Sequence, residues 1–478
     1  MKNFIKALIF ASVALWAQTD PLNMTTMQVV KDMGLGINLG NTMEATIVCN
    51  PGDNGCENWV NSMETLETSW GSPQITNAIV KGYADAGFKI VRIPVAWSNK
   101  MTGDNAGGTY TISPALMNRV EQIVNYVLSN GMYAIVNIHW DGGWWEKFPI
   151  DSAECMRKYT RIWEQISTKF KDKSGYLIFE SLNEEGVWDN IEKTRAYEIL
   201  NAINKEFTNL IRASGGNNEN RHLLIAGYAT DIDKTIDPLF KMPTDSKNRQ
   251  AVSVHYYDPF GFTHSTNDPG WTSWAPVRMN WGTEQDYTEL NTAMSKLKTN
   301  FVEKNIPVIV GEYGFASDLA RPVEEIRKYT LAVANAIYSR DMCPVLWDTQ
   351  RDEPHYYNRK SNPPAFVDQQ LVAGLKNIIG VSSSSSNQSS SSSNAAYSSS
   401  SSSLASSSSA AISSSSSSNL ASSSSNNKTP ITNHSPLTTS NSPTYYSLKG
   451  EPLGNAKPQK AGVYIVKQGN SIRKIAVR

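Results

Sequence analysis

The sequence lacks an excess of charge of either sign, a long apolar run in its body, and the cysteine density of a disulfide scaffold. Lysine plus arginine and aspartate plus glutamate number 44 each among the 478 residues, so the formal net charge is zero. This balance argues against nucleic acid as the main partner, because nucleic-acid binders usually present a strongly basic surface. No stretch is long enough and apolar enough to span a bilayer comfortably, which predicts no transmembrane segment.

The four cysteines show no spacing with histidine that resembles a zinc site, so no metal is predicted. Cys49 and Cys56 lie close together in a segment rich in Pro, Gly, Asn and Asp, which is compatible with a disulfide in an oxidising compartment. Cys155 and Cys343 stand in helix-like and strand-like contexts, which predicts buried thiols.

Aromatic residues, in contrast, are abundant, with 13 Trp and 20 Tyr. Their flat apolar ring faces suit stacking on sugar rings. Large proteins also bury many Trp, so composition alone is weak evidence for a carbohydrate ligand.

Composition divides the chain into four parts. Residues 1–17 have a basic start, a short apolar core and small residues before a polar turn, the pattern of a secretory signal peptide. Residues 18–380 are long enough for one large catalytic domain. Residues 381–442 are dominated by serine and predict a disordered, flexible linker. Residues 443–478 predict a small β-rich tail with a hairpin between 462–467 and 471–478.

Short apolar runs alternate with longer amphipathic patterns in the body. The runs predict strands at 34–39, 90–95, 133–138, 176–179, 222–226, 251–254, 307–310 and 344–346. The patterns between them predict helices, among them 114–130, 156–171, 194–213, 287–304 and 322–340. Pro73 and Pro114 suit the first turns of helices, and Gly87 and Gly131 suit helix ends.

Eight such strand–helix units predict an α/β fold, a closed (β/α)8 TIM barrel. The alternative is an open doubly wound sheet, but no glycine-rich phosphate loop follows the first strand.

Polar, acidic or aromatic side chains follow most of the predicted strands. Because the C-terminal ends of barrel strands meet at one mouth, we expect these side chains to converge. They are Asn38 to Asn41, Arg92, His139 with Trp140, Asn183 with Glu184, His255 with Tyr257, Glu312, and Trp347.

The glutamates after the fourth and seventh strands, Glu184 and Glu312, are expected to face each other across this mouth. Two carboxyl groups that flank a scissile bond are the apparatus of glycoside hydrolysis. A lone Asn–Glu pair is more often a helix cap, and a lone His after a strand is more often structural. Glu180 lies earlier on the strand and is interpreted as structural, and Glu185 as a capping or loop charge.

The body resembles glycoside hydrolase family 5, and its subfamily 4 in particular, which contains endo-β-1,4-glucanases, xyloglucanases and related enzymes. The matching strings run in the family's order, and the ordered set is far more specific than any one of them. They are GINLGNTME at 36–44, ETSWGSP at 67–73, VRIPV at 91–95, NIH at 137–139, FESLNE at 179–184, VHYYD at 254–258, GEYG at 311–314 and LWD at 346–348.

The resemblance implies a role for each matched residue. Glu312 would be the nucleophile of a retaining enzyme and Glu184 the acid/base, with their carboxyl groups roughly 5–5.5 Å apart. We expect Arg92 to lower the pKa of Glu312, and burial beside Glu312 to raise the pKa of Glu184.

The resemblance also implies supporting roles for the other matched residues. Arg92 and Tyr257 would orient Glu312, and His255 would lie near Glu184. Asn183 would bind the sugar 2-hydroxyl, His139 would line the neighbouring subsite, and Trp347 would be the platform under the reacting sugar.

The sequence departs from the family pattern after His139, where many relatives have a second His and this chain has Trp140. With Trp144 and Trp145 it forms an aromatic cluster, and Trp140 and Trp145 are predicted to bind substrate. Asn41, Glu44 and Trp70 fall in matched strings and are predicted to line distal subsites. Other candidate platforms, for which packing within loops is an equal alternative, are Trp188, Trp271, Trp274 and Trp281.

The tail resembles the C-terminal sorting domains of the type IX secretion system, through GVYIV at 462–466 and the closing KIAVR at 474–478. This resemblance implies export or surface attachment, and a strand pair of another use is the alternative.

The sequence thus predicts a secreted, monomeric endo-β-1,4-glucanase that acts on a β-glucan polysaccharide and needs no cofactor. A xyloglucanase, lichenase or β-mannanase on the same barrel is the alternative within the class. A non-catalytic glucan-binding or adhesion protein is the alternative from another class.

Overall fold

The structure is a computed structural model. It describes residues 19–45, 62–186, 188, 191–266, 275–350 and 355–380, and in the tail residues 444–446, 452–455, 462–468 and 471–477. Several predictions lie outside the described residues: the signal peptide, the Cys49–Cys56 disulfide, Trp271, Trp274 and the serine-rich linker. No helix in the described ranges combines the length and apolar character that a membrane crossing requires.

Eight parallel strands close into a barrel in which each strand pairs with its neighbours in chain order and β1 also pairs with β8. This confirms the predicted fold class and excludes the open sheet. The strands are β1 (Gly36–Asn38), β2 (Ile90–Ile93), β3 (Tyr133–Val136), β4 (Leu177–Glu180), β5 (Leu223–Ala226), β6 (Gln250–Tyr256), β7 (Val308–Tyr313) and β8 (Cys343–Leu346).

The helices surround the barrel. They are α1 (Thr26–Met33), α2 (Asn77–Asp85), α3 (Pro114–Ser129), α4 (Ser152–Phe170), α5 (Lys193–Ala213), α6 (Ile232–Thr235), α7 (Phe260–Thr263), α8 (Glu284–Asn300), α9 (Val323–Tyr338) and α10 (Gln369–Ile378). Short 3-10 turns lie at Pro21–Asn23, Trp97–Lys100, Asp141–Lys147, Gly216–Glu219, Tyr228–Thr230 and Val302–Lys304. Two-stranded ribbons pair Met101–Thr102 with Thr111–Ile112, and Tyr357–Asn358 with Ala365–Phe366.

Helix boundaries follow local chemistry at most of the predicted positions. Pro114 is the first residue of α3, where its missing N–H has no intrahelical partner to lose. Gly87 and Gly131 follow helix ends with φ of +90° and +72°, a region that favours glycine. The prediction for Pro73 was wrong, because α2 begins at Asn77 after Thr76, whose hydroxyl accepts from the Ile79 N–H.

The barrel interior changes from apolar to polar along its axis. Alternate residues of a strand point to the same side, so Ile90 and Ile178 are followed two residues later by Arg92 and Glu180. The lower layer of Ile90, Ile178 and their neighbours packs against α1, whose apolar face covers the N-terminal end of the barrel. The polar layer and the site therefore lie at the C-terminal end.

Strand β7 carries one extra residue relative to both neighbours. Val254 and His255 of β6 are opposite Val310 and Glu312, so Gly311 is skipped, and the register with β8 shifts at the same place. A β carbon at Gly311 would lie 3.3 Å from Nε2 of His255, closer than most such contacts. The bulge re-aims the side chain that follows, and it places Glu312 at the mouth.

The described tail residues form a four-stranded antiparallel sheet in the order Pro452–Gly454, Thr444–Tyr446, Gly462–Gln468, Ser471–Val477. Gly462 lies opposite Val477 in the last pair, which is the hairpin read from the sequence. The first two strands were not predicted, because they are only three residues long.

Candidate active site

The guanidinium of Arg92 is the centre of the polar layer and is fully buried. Its Nε donates to Oε2 of Glu180 at 2.7 Å, and its Nη1 donates to Oε1 of Glu312 at 2.7 Å and to Oδ1 of Asn38 at 3.0 Å. Its Nη2 donates to Oδ1 of Asn183 at 2.8 Å. One cation thus ties together the ends of four strands, and Glu180 is its buried structural partner.

Glu312 receives donors on both carboxylate oxygens, since the Tyr257 hydroxyl donates to Oε2 at 2.9 Å while Arg92 donates to Oε1. Burial nevertheless raises the pKa of Glu312, and the nearby His255 and Arg92 only partly oppose it. Arg92 lowers the pKa of Glu312 as expected, but desolvation in the polar layer outweighs this contribution, so the net pKa is raised.

Glu184 is the more open carboxyl, with half of its side chain accessible, and its Oε1 lies 2.7 Å from Nδ1 of His255. Desolvation by the surrounding mouth raises its pKa, and only Arg92 opposes that rise. One carboxylate oxygen of each glutamate and a ring nitrogen of His255 all lie within 4.8 Å of one another. Such a group of ligand atoms is also compatible with a cation, although here each member contacts another.

His139 and Trp347 stack at the opposite side of the mouth, with ring centroids 5.9 Å apart and planes 6° from parallel. Nδ2 of Asn137 donates to Glu180 at 3.1 Å and lies 3.4 Å from Nδ1 of His139. Because that amide nitrogen is a donor, Nδ1 is the acceptor and the ring proton belongs on Nε2. Burial lowers the pKa of His139 well below its usual value, so the ring is neutral.

Glu185 is buried, which corrects its interpretation as a loop charge. Its Oε2 accepts the backbone N–H of Asn183, and its Oε1 has no partner among the described residues. Burial raises the pKa of this carboxyl well above its usual value. Glu185 therefore fixes the backbone that carries Asn183 and Glu184.

Among the candidate tryptophans that the structure describes, Trp140 is exposed, Trp70 and Trp347 are half-buried, and the others are packed in the core. Trp140 is 40% exposed, whereas Trp144, Trp145, Trp188 and Trp281 are buried in the apolar core. The indole N–H of Trp145 donates to the Trp140 carbonyl at 3.0 Å and its rings pack against the core, and its contact with substrate stays a prediction. Trp188 and Trp281 are likewise packing residues.

The loop after β1 contains Asn41, Glu44 and Trp70, the three residues that were predicted to line distal subsites. Asn41 is buried with φ of +59°, and its side-chain Nδ2 has no partner in the described part of the chain. The Glu44 carboxylate accepts the backbone N–H groups of Asn41 and, at 2.8 Å, Thr42, so Glu44 shapes the loop. Trp70 is partly buried, and its indole nitrogen also lacks a partner among described residues.

Arg359 was not predicted from the sequence, and its side chain supports the loop that carries Trp347. Its Nη2 donates to the carbonyl and carboxylate oxygens of Asp348, both at 2.9 Å, and its Nη1 donates to the Gly40 carbonyl at 2.8 Å. This buried cation ties the β8 loop to the β1 loop. No local pattern marks Arg359, because its partners are far away in the sequence.

A parallel (β/α)8 barrel that brings two carboxyl groups together at the ends of β4 and β7 has the architecture of a glycoside hydrolase. The sequence model of the family described as cellulase (glycosyl hydrolase family 5) matches residues 53–353. The chain is 33% identical over 394 residues to Endoglucanase A of Paenibacillus barcinonensis, which covers 74% of this chain and 93% of that protein. The protein therefore belongs to glycosyl hydrolase family 5.

Two further comparisons agree with this assignment. The chain is 34% identical over 358 residues to a xyloglucan-specific endo-β-1,4-glucanase of Bacteroides ovatus, with 72% of this chain and 68% of the relative covered. The solved structure of a GH5-4 broad-specificity endoglucanase from an uncultured bovine rumen ciliate superposes with a TM-score of 0.65 at 31% identity, and covers 75% of this chain and 99% of that one. These relatives support endo-β-glucanase activity.

Proposed function

We propose that the protein is a subfamily 4-type retaining endo-β-1,4-glucanase that cleaves internal bonds of cellulose-type β-glucans. The observation that carries this proposal is the spacing of Glu184 and Glu312, whose nearest oxygens lie within 4.8 Å with His255 beside them. Retaining enzymes hold their carboxyl groups roughly 5–5.5 Å apart, whereas inverting enzymes need roughly 6.5–9.5 Å to admit a water molecule.

In the first step an oxygen of the Glu312 carboxylate attacks the anomeric carbon. The bond from that carbon to the leaving oxygen breaks, and the leaving oxygen takes the proton of Glu184. Two donors, Arg92 and Tyr257, aim Glu312 and favour its ionised form against the effect of burial, whereas Glu184 has no direct cationic partner among the described residues at neutral pH. Their different surroundings assign the nucleophile to Glu312 and the acid to Glu184.

In the second step water attacks the same carbon from the side that the leaving group vacated. Glu184 accepts the water proton, the ester bond to Glu312 breaks, and both carboxyl groups return to their starting states. Loss of the negative charge on Glu312 during the intermediate lowers the pKa of Glu184, but only until the ester is hydrolysed.

The other site residues supply sugar contacts in this proposal. The Asn183 amide has its oxygen on Arg92, so its nitrogen is free to donate to the sugar 2-hydroxyl. Trp347 stacks under the reacting sugar, and the neutral His139 beside it lines the neighbouring subsite. Asn41 and Trp70 line more distant subsites in this proposal, and the side-chain donor of each is buried without a partner among the described residues.

The preferred polysaccharide is a second question. A xyloglucanase is the favoured alternative, because the Bacteroides ovatus relative is xyloglucan-specific and the same chain shares 34% identity with it. The alternative of lichenase activity is supported by similarity to the solved structure of a lichenase from Caldicellulosiruptor sp. F32, with a TM-score of 0.65. A β-mannanase and a non-catalytic glucan-binding protein complete the alternatives.

Secretion through the N-terminal signal peptide, a monomeric state, and surface attachment through the tail are part of the same proposal. They rest on the sequence patterns given above.

The test is hydrolysis by the full chain of carboxymethylcellulose, xyloglucan, lichenan and glucomannan, followed by reducing-sugar release and viscosity. An endo-acting enzyme lowers viscosity before much sugar is released. NMR of the first product on the preferred substrate should show retention of the β configuration. Inversion overturns the double displacement, and no release from any polymer by folded protein favours the binding protein.

A further inference from the structure

The loop after β3, residues 139–148, displays one tryptophan and buries two. Trp140 is 40% exposed, whereas Trp144 and Trp145 are packed in the core. A single exposed aromatic residue is ordinary on a protein surface. Trp140 differs because several buried hydrogen bonds fix the backbone on both sides of it.

Both buried indoles are hydrogen-bonded to the displayed residue or to its neighbour. The Trp145 N–H donates to the Trp140 carbonyl at 3.0 Å, and the Trp144 N–H donates to Oδ2 of Asp141 at 2.7 Å. The ammonium group of Lys158 lies 5.0 Å from the centre of the Trp144 ring and adds a cation–π contact. These contacts fix the backbone from which Trp140 projects.

The Asp141 carboxylate joins this loop to the loop after β2. Its Oδ1 accepts the backbone N–H of Ser98 at 2.7 Å, and its Oδ2 accepts the Ser98 hydroxyl at 2.9 Å in addition to the Trp144 indole. The side chain is fully buried. Three donors on two oxygens satisfy the buried carboxylate and tie the two loops together.

The backbone at this point takes a conformation that needs such support. Asp141, Gly142 and Gly143 have φ of +49°, +75° and +69°, three left-handed residues in succession. Glycine adopts this region freely, but aspartate does so at an energetic cost that the surroundings must offset. A β carbon at Gly143 would lie 3.2 Å from Oε1 of Glu146, a tight approach, and 3.5 Å from the Trp140 indole nitrogen, an ordinary contact, so the positive φ is the main reason for glycine here.

We propose that Asp141 is a positioning residue for substrate, which holds Trp140 at the rim of the mouth as a stacking platform for a glucosyl unit beyond the reacting sugar. The inference rests on the proposed function and deepens it. Trp140 directly follows His139, whose ring stacks on Trp347, so the exposed indole projects from backbone next to the aromatic pair of the mouth. The electron-rich face of an indole attracts the C–H groups that a β-linked pyranose presents on its faces.

The experiment measures kcat and KM for Trp140→Ala, Asp141→Asn and the double variant on the cello-oligosaccharides from cellotriose to cellohexaose and on the preferred polymer. Asparagine tolerates a left-handed φ as aspartate does, but it replaces one acceptor oxygen with a donor that faces Ser98 or Trp144. Tyr287→Ala is the matched control, because Tyr287 is also an aromatic residue with 40% exposure, and it lies on α8 rather than on a loop that directly follows a barrel strand.

We expect Trp140→Ala to raise KM about tenfold for the polymer and the longer oligosaccharides, with little change in kcat. Substrates too short to reach Trp140 should be unaffected. Asp141→Asn should raise KM in the same length-dependent way, and its effect should nearly vanish when Trp140 is already Ala, because coupled residues are non-additive. Trp144→Phe, which keeps the ring but removes the N–H, should resemble Asp141→Asn.

If Trp140→Ala has the wild-type KM for every oligosaccharide length and for the polymer, Trp140 is not a stacking platform. If Asp141→Asn raises KM equally in the wild-type protein and in Trp140→Ala, or changes kcat alone, Asp141 does not position Trp140. If the wild-type protein releases no sugar from any polymer, the proposed function fails instead, which is a separate result.

Discussion

Nδ1 of His255 lies 2.7 Å from Oε1 of Glu184, a contact between a buried ring and a half-exposed carboxyl. Burial lowers the pKa of His255 to about 4, so the ring is neutral under most assay conditions. Glu184 therefore faces an uncharged neighbour, and its raised pKa is not pulled back by an adjacent imidazolium. The pairing leaves Glu184 free to carry a proton, while Arg92 and Tyr257 favour the ionised form of Glu312 against the effect of burial.

The first prediction concerns the nucleophile. Glu312→Gln removes the attacking carboxylate and should reduce turnover on polymer at least ~1,000-fold, while it leaves glucan binding largely intact. Reducing-sugar assays and affinity electrophoresis measure the two effects. Glu289→Gln on the exposed side of α8 is the control and should behave as wild type. Turnover by Glu312→Gln within tenfold of wild type contradicts the assignment.

The second prediction separates the acid from the nucleophile. Glu184→Gln cannot protonate a leaving group, so polymer cleavage should fall roughly 100- to 10,000-fold. An aryl glycoside with an activated leaving group should lose far less in its first step, because that group departs without a proton. Burst kinetics on both substrates provide the measurement, and equal losses on the two would remove Glu184 from the acid role.

The third prediction concerns the pH profile. The acid limb of kcat/KM reports ionisation of the coupled pair as Glu312 loses its proton, and the alkaline limb reports proton loss from Glu184. Tyr257→Phe removes a hydroxyl that donates to Glu312 at 2.9 Å and favours its ionised form. The pKa of Glu312 should rise, so the acid limb should move to higher pH. An acid limb that stays in place, or moves down, contradicts this role for Tyr257.

The fourth prediction concerns stability. Arg92→Met leaves two buried carboxylates, Glu180 and Glu312, without their cation, and should lower the free energy of unfolding by about 3–5 kcal/mol. Denaturant titration measures the change. Lys81→Met, which breaks the exposed ion pair with Asp85, is the control and should cost at most about 1 kcal/mol. Equal effects from the two variants would show that the buried pairing does not hold the barrel mouth together.

The fifth prediction concerns Glu185. Because its pKa is raised in the folded state, its contribution to stability is complete below the unfolded value and is lost as pH rises toward the raised value. Glu185→Gln keeps an acceptor for the Asn183 N–H and does not titrate, so it should gain stability relative to wild type as pH increases from 4 upwards, roughly from the ordinary pKa of a glutamate. Melting temperatures of both proteins measured across pH test this prediction. A difference in melting temperature between wild type and Glu185→Gln that stays constant with pH contradicts it.

Glu185→Ala is the companion variant, because it leaves the Asn183 N–H without an acceptor. It should be less stable than Glu185→Gln at every pH. It should also lower kcat, since the same backbone carries Glu184.

The prediction from sequence succeeded where one local pattern repeats. Each barrel strand is a short apolar run with its chemistry at the C-terminal end, so strand positions and the residues at the mouth can be recognised from order and spacing. Arg92, Tyr257 and Glu312 were expected to meet, and they do. The helices α1 and α10 were not predicted, because they are short and their apolar faces are recognisable only against the barrel that they cover.

The sequence by itself determined the barrel, the pair of glutamates and the family, because strand spacing and residue type are local properties of the chain. Only the tertiary structure decided which tryptophans are displayed and which are packed, since Trp140 and Trp145 are indistinguishable as letters. It also decided that burial outweighs Arg92 at Glu312, that Glu185 is a buried support, and that Arg359 holds the Trp347 loop. Burial and hydrogen bonding depend on partners that lie far away along the chain, and folding alone brings those partners together.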